Sequence, residues 1–246
     1  MIEITETLKA MERIYSPKYG LANRIVTSDL DHKIVSLKVN SYKLSNVIPM
    51  FNTFVENAHF ATWSGAGSAL NLEKSKVKAY GEFIERYCSS NLRNDHEVEI
   101  VFDSYDNLKT TNECLDFNDL IHFEDYLYDD ITFPFCKCFK HTKISWVMGK
   151  NLVTGMNTWL PAQKVFLGIK LLKGEQYHNV WLSTGLACGK SYFQAAISAL
   201  YEVVERDSFM LTWLLKLSGV RIIMDSIQNA AMKQRQLDFS LLANRH

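Results

Sequence analysis

Ala79-Tyr80-Gly81-Glu82-Phe83-Ile84-Glu85-Arg86 and Ala199-Leu200-Tyr201-Glu202-Val203-Val204-Glu205-Arg206 are one pattern written twice. Each copy stands behind a run of small residues, Ser64-Gly65-Ala66-Gly67 in the first and Thr184-Gly185-Leu186-Ala187 in the second, and the two segments align without a gap. Gly65, Ala79, Glu82, Glu85 and Arg86 then coincide with Gly185, Ala199, Glu202, Glu205 and Arg206. The repeat predicts a small-residue turn followed by a helix ending in E-x-x-E-R, present twice. From about Leu72 to Leu92, Val77, Tyr80, Phe83, Ile84 and Tyr87 recur at helical spacing. The second helix is expected over Ser191 to Ser218, with Trp213, Leu214 and Leu217 read as its core packing.

Outside these helices the period changes. Lys33 to Val39 alternates partly and is rich in β-branched residues, which reads as a strand. Val47–Phe51, Ala58–Trp63, Val98–Phe102 and Val220–Met224 read as further short strands. Ile144–Met148 and Thr158–Leu160 flank Gly149 to Gly155 and suggest a strand pair with an elaborated connection. The acidic stretch from Asp103 to Asp130 is expected to form a short helix or two at the surface. Strands and helices interleave throughout, so the fold class is mixed α/β (α+β), with the two turn–helix units packed on β-sheet. No Pro-, Gly- or Ser-rich linker divides the chain, and a single domain over residues 1–246 is expected.

The chemistry lies in the acids. Glu residues at i and i+3 project from one helix face, where like charges cost a few tenths of a kcal/mol unless a cation sits between them. The Arg four places after the first Glu relieves part of that repulsion. Two such helices facing each other would gather Glu82, Glu85, Glu202 and Glu205, which suits Mg²⁺, a hard cation that shares its shell between carboxylates and phosphates. The small-residue turns could present N–H groups to a phosphate. Neither is a Walker A loop: Gly189-Lys190-Ser191 imitates its end, but no Gly lies five positions before Gly189.

The 27 basic residues are matched by 27 acidic ones, and no local basic patch stands out, so neither nucleic acid nor an acidic membrane is an expected partner. Phe209–Leu215 is far too short an apolar run to cross a bilayer, and the acidic start Met1-Ile2-Glu3 lacks signal-peptide features. A cytoplasmic location is expected. Five cysteines in such a chain fit reduced thiols, and Cys136-Lys137-Cys138 with His141 reads as strand packing rather than a zinc knuckle. The seven histidines show no H-E-x-x-H spacing, no G-x-S-x-G elbow appears, and Cys188 reads as a small apolar filler in the second turn.

These residues resemble the YcaO family, and specifically its azole-forming cyclodehydratases. The resemblance is carried by Ala79 through Tyr87 and by Ser183-Thr184-Gly185-Leu186-Ala187 leading to Ala199 through Asp207. Support comes from Ser16-Pro17-Lys18-Tyr19-Gly20-Leu21 and from Trp146 through Leu152, so that the similarity spans roughly residues 14 to 225. It implies a site in which helix-borne acids hold Mg²⁺ against ATP. Glu82, Glu85, Glu202 and Glu205 match the metal-holding positions, Arg206 a residue near the phosphates, and Gln194 a position that approaches the nucleotide. No residue is identified as catalytic.

The implied reaction forms thiazoline or oxazoline rings from Cys, Ser or Thr of a ribosomal precursor peptide, the chemistry of thiazole/oxazole-modified peptides and of bacteriocin biosynthesis. The implied partners are that peptide, a leader-peptide-binding protein and a second copy of the chain. Thioamide formation is a sister chemistry on the same site. Lys78 departs from the family, which often carries a small polar residue there, and Gln194 stands where a Glu is common. The resemblance implies further chain beyond His246, with a proline-rich tail, whereas Pro161 is the last of four prolines, so the domain is expected to be incomplete at its C-terminal end. A truncated, inactive homologue that holds nucleotide or a partner is the rival expectation. A structural protein with merely solvated E-x-x-E-R helices is a third.

Overall fold

The computed structural model describes residues 2–18, 20–29, 38–44, 64–69, 72–90, 98–120, 123–169 and 171–219. In chain order its elements are α1 (Ile2–Glu12), β1 (Ala22–Asp29), β2 (Lys38–Leu44), β3 (Ser64–Ala69), α2 (Leu72–Cys88), β4 (Ile100–Ser104), α3 (Tyr105–Leu108), β5 (Lys143–Lys150), β6 (Asn157–Pro161), α4 (Ala162–Val165) and α5 (Tyr192–Leu214). The mixed α/β class is therefore as expected. The expected strands at 47–51, 58–63 and 220–224 lie outside the described residues.

The chain divides into two compact units: Met1–Val55 with Ala61–Glu85 and Thr184–His246, and Glu56–Phe60 with Arg86–Ser183. In the first unit, β1, β2 and β3 form an antiparallel sheet in that order. Leu8, Ala22, Ala79, Tyr80 and Phe83 make its buried core. β3 corrects the sequence reading, because Ser64–Gly67 forms strand and not turn. Glycines punctuate turns, but inside a strand they mark a place where another backbone comes close. A Cβ on Gly65 would stand 2.1 Å from the Ala79 carbonyl oxygen, and one on Gly67 would stand 2.2 Å from that of Ser75. The Ser75 hydroxyl donates to the Gly67 carbonyl at 2.8 Å, locking α2 to the strand.

α2 stops at Cys88 rather than running to Leu92. Ser89 and Ser90 both donate their hydroxyls to the Arg86 carbonyl, replacing the next helical amide with side-chain partners. α5 begins where the sequence places it, with Ser191 as N-cap accepting from the Gln194 amide at 3.3 Å. It contains no buried residue, and this overturns the core reading of Trp213, Leu214 and Leu217. Trp213 is 70% exposed. The helix is apolar around most of its circumference, so periodicity alone singles out no packed face.

The second unit has its own antiparallel sheet, β4-β5-β6, in which Ile100 pairs with Val147 and Val147 with Leu160. The expected strand pair around residues 149–155 is thus present as β5 and β6. One face of the sheet packs Ile144, Trp146 and Trp159 against Tyr105, Leu108 and Cys114. Val147, Ala162 and Ile169 form another cluster. The acidic stretch is short helical turns, as expected: α3 and two single turns at Phe117–Asp119 and Asp125–Asp129. Cys138 packs beside the first of these clusters, and burial pushes its thiol up to about 11. His141 stacks on Phe139 with ring centroids 5.4 Å apart.

Candidate functional site

The first acid of each E-x-x-E-R motif turns back onto the small-residue segment that precedes its helix. The Glu82 carboxylate accepts from the Ala66 amide, and the Glu202 carboxylate accepts from the Gly185 amide at 3.2 Å. The equivalence is offset by one residue, since Ala66 aligns with Leu186 and not with Gly185. The offset follows from local backbone: the first segment is an extended strand, whereas Gly185 takes φ +85°, a conformation that suits glycine. Both acids thereby anchor their own helices.

A groove of about 640 Å³ lies in the first unit. Lys78, Glu82 and Glu85 line it from α2, Cys188 and Lys190 from the segment before α5, and Gln194 from the first turn of α5. The spacing of the α2 residues explains their convergence, because positions i, i+4 and i+7 share a helix face. A Cβ on Gly81 would stand 3.9 Å from the Cys188 Cβ, an ordinary van der Waals contact. Cys188, read from the sequence as a filler, is half-buried and forms part of the groove wall.

Of the six residues that the resemblance assigns to metal or nucleotide, the groove brings together Glu82, Glu85 and Gln194. Glu202, Glu205 and Arg206 stand outside its lining. Glu202 is held by Arg206 on its own helix, with Nε at 3.0 Å and Nη2 at 2.9 Å from Oε1. Glu205 is exposed. Among the described residues, no three His, Cys, Asp or Glu side chains converge as an all-protein cation cage. Two neighbouring carboxylates at an open groove do fit Mg²⁺, which commonly takes one or two carboxylates and completes its octahedron with water and phosphate oxygens.

Gln194 has a local task as well. Its Oε1 accepts from the Lys190 amide at 2.9 Å while its own amide donates to Ser191 Oγ, a variant of the capping box. Thr7, Ala10 and Met11, which line the groove from α1, lay beyond the sequence reading. No motif marks them, and only the packing of α1 on α2, through Leu8 against Ala79, Tyr80 and Phe83, brings them there. Lys190 did carry a signal, in the Gly-Lys-Ser triplet that ends like a phosphate loop.

The family model described as YcaO cyclodehydratase, ATP- and Mg²⁺-binding, matches residues 66–240, well over half of the chain. The chain belongs to the YcaO family. ATP and Mg²⁺ are the cofactors by which that family is described. An uncharacterized protein of Mycobacterium tuberculosis (strain CDC 1551 / Oshkosh) is 34% identical over an alignment of 73 residues, covering 27% of this chain and 15% of the relative. The same figures hold for an uncharacterized protein of strain ATCC 25618 / H37Rv.

Among solved structures, YcaO from Methanopyrus kandleri bound with AMPPCP and Mg²⁺ shares the fold with a TM-score of 0.56 at 16% identity. The alignment covers 96% of this chain and 51% of that one. A heterocyclase in complex with substrate and cofactor gives a TM-score of 0.75 at 16% identity, over 97% of this chain and 32% of its own. The heterocyclase TruD gives 0.57 at 15% identity, over 96% and 32%. The chain therefore spans about half or less of the length of these relatives, and at such identities the likeness is one of fold. No helix of the described residues is long and apolar enough to cross a membrane.

Proposed function

We propose that the chain takes part in ATP- and Mg²⁺-dependent activation of a peptide backbone amide, leading to azoline rings from Cys, Ser or Thr of a ribosomal precursor peptide. The observation that carries the reading is the groove in which Glu82 and Glu85 stand side by side with Lys78, Lys190 and Gln194, inside the segment matched by a family described as ATP- and Mg²⁺-binding. A heterocyclase of the same fold is known in complex with substrate, which supports a peptide as the second reactant. A leader-binding protein and a second copy of the chain belong to the same proposal, as does a cytoplasmic setting.

The residues divide the work as follows. Glu82 and Glu85 supply oxygen ligands for Mg²⁺, with Glu82 held at a fixed height by the Ala66 amide. Glu202, Glu205 and Arg206 are proposed for the remaining metal and phosphate contacts, with Arg206 kept in place by Glu202. ATP, when bound, supplies the phosphoryl group that converts the peptide's carbonyl oxygen into a leaving group. Positioning and charge neutralisation carry most of such a step, because phosphoryl transfer asks little covalent chemistry of the protein.

A second reading is favoured by one observation. Glu202, Glu205 and Arg206 lie outside the groove lining, which suits a subunit that holds nucleotide or a partner without turnover of its own. Isothermal titration of Mg²⁺-ATP into the purified chain tests both. Binding that weakens tenfold or more in Glu82→Gln/Glu85→Gln is expected, a loss of about 1.4 kcal/mol or more. If Glu202→Ala/Glu205→Ala loses binding as well, all four acids serve one site. If it binds normally, the nucleotide-holding reading gains. An unmutated chain that takes up no nucleotide would sink both.

A further inference from the structure

We infer that the second unit binds one structural water molecule between His178, Asn179 and Tyr128, and that this water completes the hydrogen bonding of the segment that carries His178. The inference is independent of the nucleotide reading, because every residue it uses lies in the second unit.

Two buried acceptors in this unit lack partners. His178 and Asn179 are each 6% exposed. The Nδ1 of His178 lies 2.8 Å from the Cys136 carbonyl oxygen, which can only accept. Nδ1 therefore carries the proton, and Nε2 of the neutral ring is an acceptor. Nε2 is buried without a hydrogen-bond partner, and so is Asn179 Oδ1. Buried polar atoms left in that condition are rare in folded proteins unless a water reaches them.

Both residues line one small cavity of about 10 Å³, close to the smallest volume that holds a water. Most other polar groups on its wall are already engaged. Gln163 Nε2 donates to the Gln176 carbonyl at 2.8 Å, and its Oε1 accepts from the His178 amide at 3.0 Å. The Cys138 thiol is directed to the Phe139 carbonyl at 3.9 Å. Tyr128 is different: its Oη accepts from the Phe123 amide at 3.3 Å, which leaves the phenolic proton to give. Two acceptors and one donor match a water that donates twice and accepts once. They do not match a cation, since Mg²⁺ or Ca²⁺ takes about six oxygens or more and the rest of the wall is Leu120, Ile144 and Pro161. A water so held ties the Asp125–Asp129 turn to His178 and Asn179.

The test is spectroscopic and needs no activity. Magnetic relaxation dispersion of solvent water detects long-lived buried waters, and it is compared between the unmutated chain, Asn179→Leu and Tyr128→Phe. Expected in Asn179→Leu is an amplitude lower by about one water, and in Tyr128→Phe, which keeps both acceptors, a shorter residence time for that water. In the unmutated chain, long-range proton–nitrogen correlation should show His178 protonated on Nδ1 and accepting a hydrogen bond on Nε2. An Asn179→Leu amplitude equal to that of the unmutated chain overturns the site. A His178 ring protonated on Nε2, or an Nε2 signal typical of a free ring nitrogen, overturns it as well. If Asn179→Leu fails to fold, every buried water is lost together and its amplitude decides nothing. The Nε2 signal of the unmutated chain then decides alone, an accepting nitrogen upholding the site and a free one sinking it.

Discussion

Glu175 is the residue on which the second unit most visibly depends. It is buried, and its carboxylate accepts from the Ser145 amide at 2.8 Å, the Ser145 hydroxyl at 2.9 Å and the Leu172 amide at 3.0 Å. Gln163 donates to it at 3.5 Å and to the Gln176 carbonyl at 2.8 Å, tying the same loop to α4. Hydrogen bonds to a charged acceptor contribute about 1.5–3 kcal/mol each, and stranded buried donors add their own desolvation cost. Glu175→Ala should therefore lower the stability of this unit by about 3 kcal/mol, read as a drop in the urea midpoint with unchanged slope. Glu175→Gln should retain less than half of the loss if shape matters most, and nearly all of it if the acceptor count does. Cys138 gives a second residue-scale test. With its thiol moved from 9.0 to about 11 by burial, its thiolate fraction near pH 8 falls about a hundredfold. Iodoacetamide should label exposed Cys88 well before Cys138, and unfolding should abolish the difference. The sign for stability follows. Below pH 9 the thiol is protonated folded or unfolded, and between about 9 and 11 only the unfolded chain ionises, so stability falls as pH rises through that window.

At the scale of elements, what the sequence displays depends on whether the cause is local. α2, α5 and the β5–β6 pair are legible because their signals lie within the element: helical recurrence of Val77, Tyr80 and Phe83, a Ser191 cap, alternation around a glycine-bearing connection. β3 is not, because the glycines that make Ser64–Ala69 look like a turn answer to α2, a different element. The same distinction runs through the groove. Lys78, Glu82 and Glu85 can be read as one face from their spacing alone, whereas Met11 joins them only through the packing of α1. The glycines give a sharp test. At Gly67 a methyl group would fall 2.2 Å from the Ser75 carbonyl oxygen and 2.6 Å from the Ala79 amide nitrogen, both backbone atoms that cannot swing aside. Gly67→Ala should cost about 2–3 kcal/mol by forcing β3 and α2 apart. It should also weaken Mg²⁺-ATP binding, because Glu82 is positioned from Ala66 on that strand. Gly155→Ala, where the added group meets nothing within 4 Å but φ is +71°, should cost about 1 kcal/mol and leave nucleotide binding unchanged.

The whole molecule raises a question that no window of sequence contains. The first unit is assembled from three separate stretches of chain and the second is threaded between them, so the chain passes from one to the other four times, one crossing falling within α2 between Glu85 and Arg86 and the last at Ser183–Thr184. A crossing inside a helix leaves no change of composition, which is why the chain reads as undivided. Each unit nevertheless has its own sheet and its own buried cluster, Leu8, Tyr80 and Phe83 in one and Tyr105, Trp146 and Trp159 in the other. Separate cores favour separate cooperative unfolding, while a shared helix resists it. Hydrogen exchange read by mass spectrometry decides between these tendencies in mild urea, using the two destabilising variants as levers. The expectation is that Glu175→Ala raises exchange across β4, β5 and β6 and leaves β1–β3 protected. Gly67→Ala should do the reverse, with α2 responding to both because it belongs to both. If either variant instead releases all six strands together, α2 transmits the full cost from one core to the other and the protein unfolds as one body. The groove would then be exposed to damage anywhere in the chain. If the units part as expected, Glu175→Ala should leave Mg²⁺-ATP affinity within about twofold of the unmutated chain, since every residue lining the groove lies in the first unit.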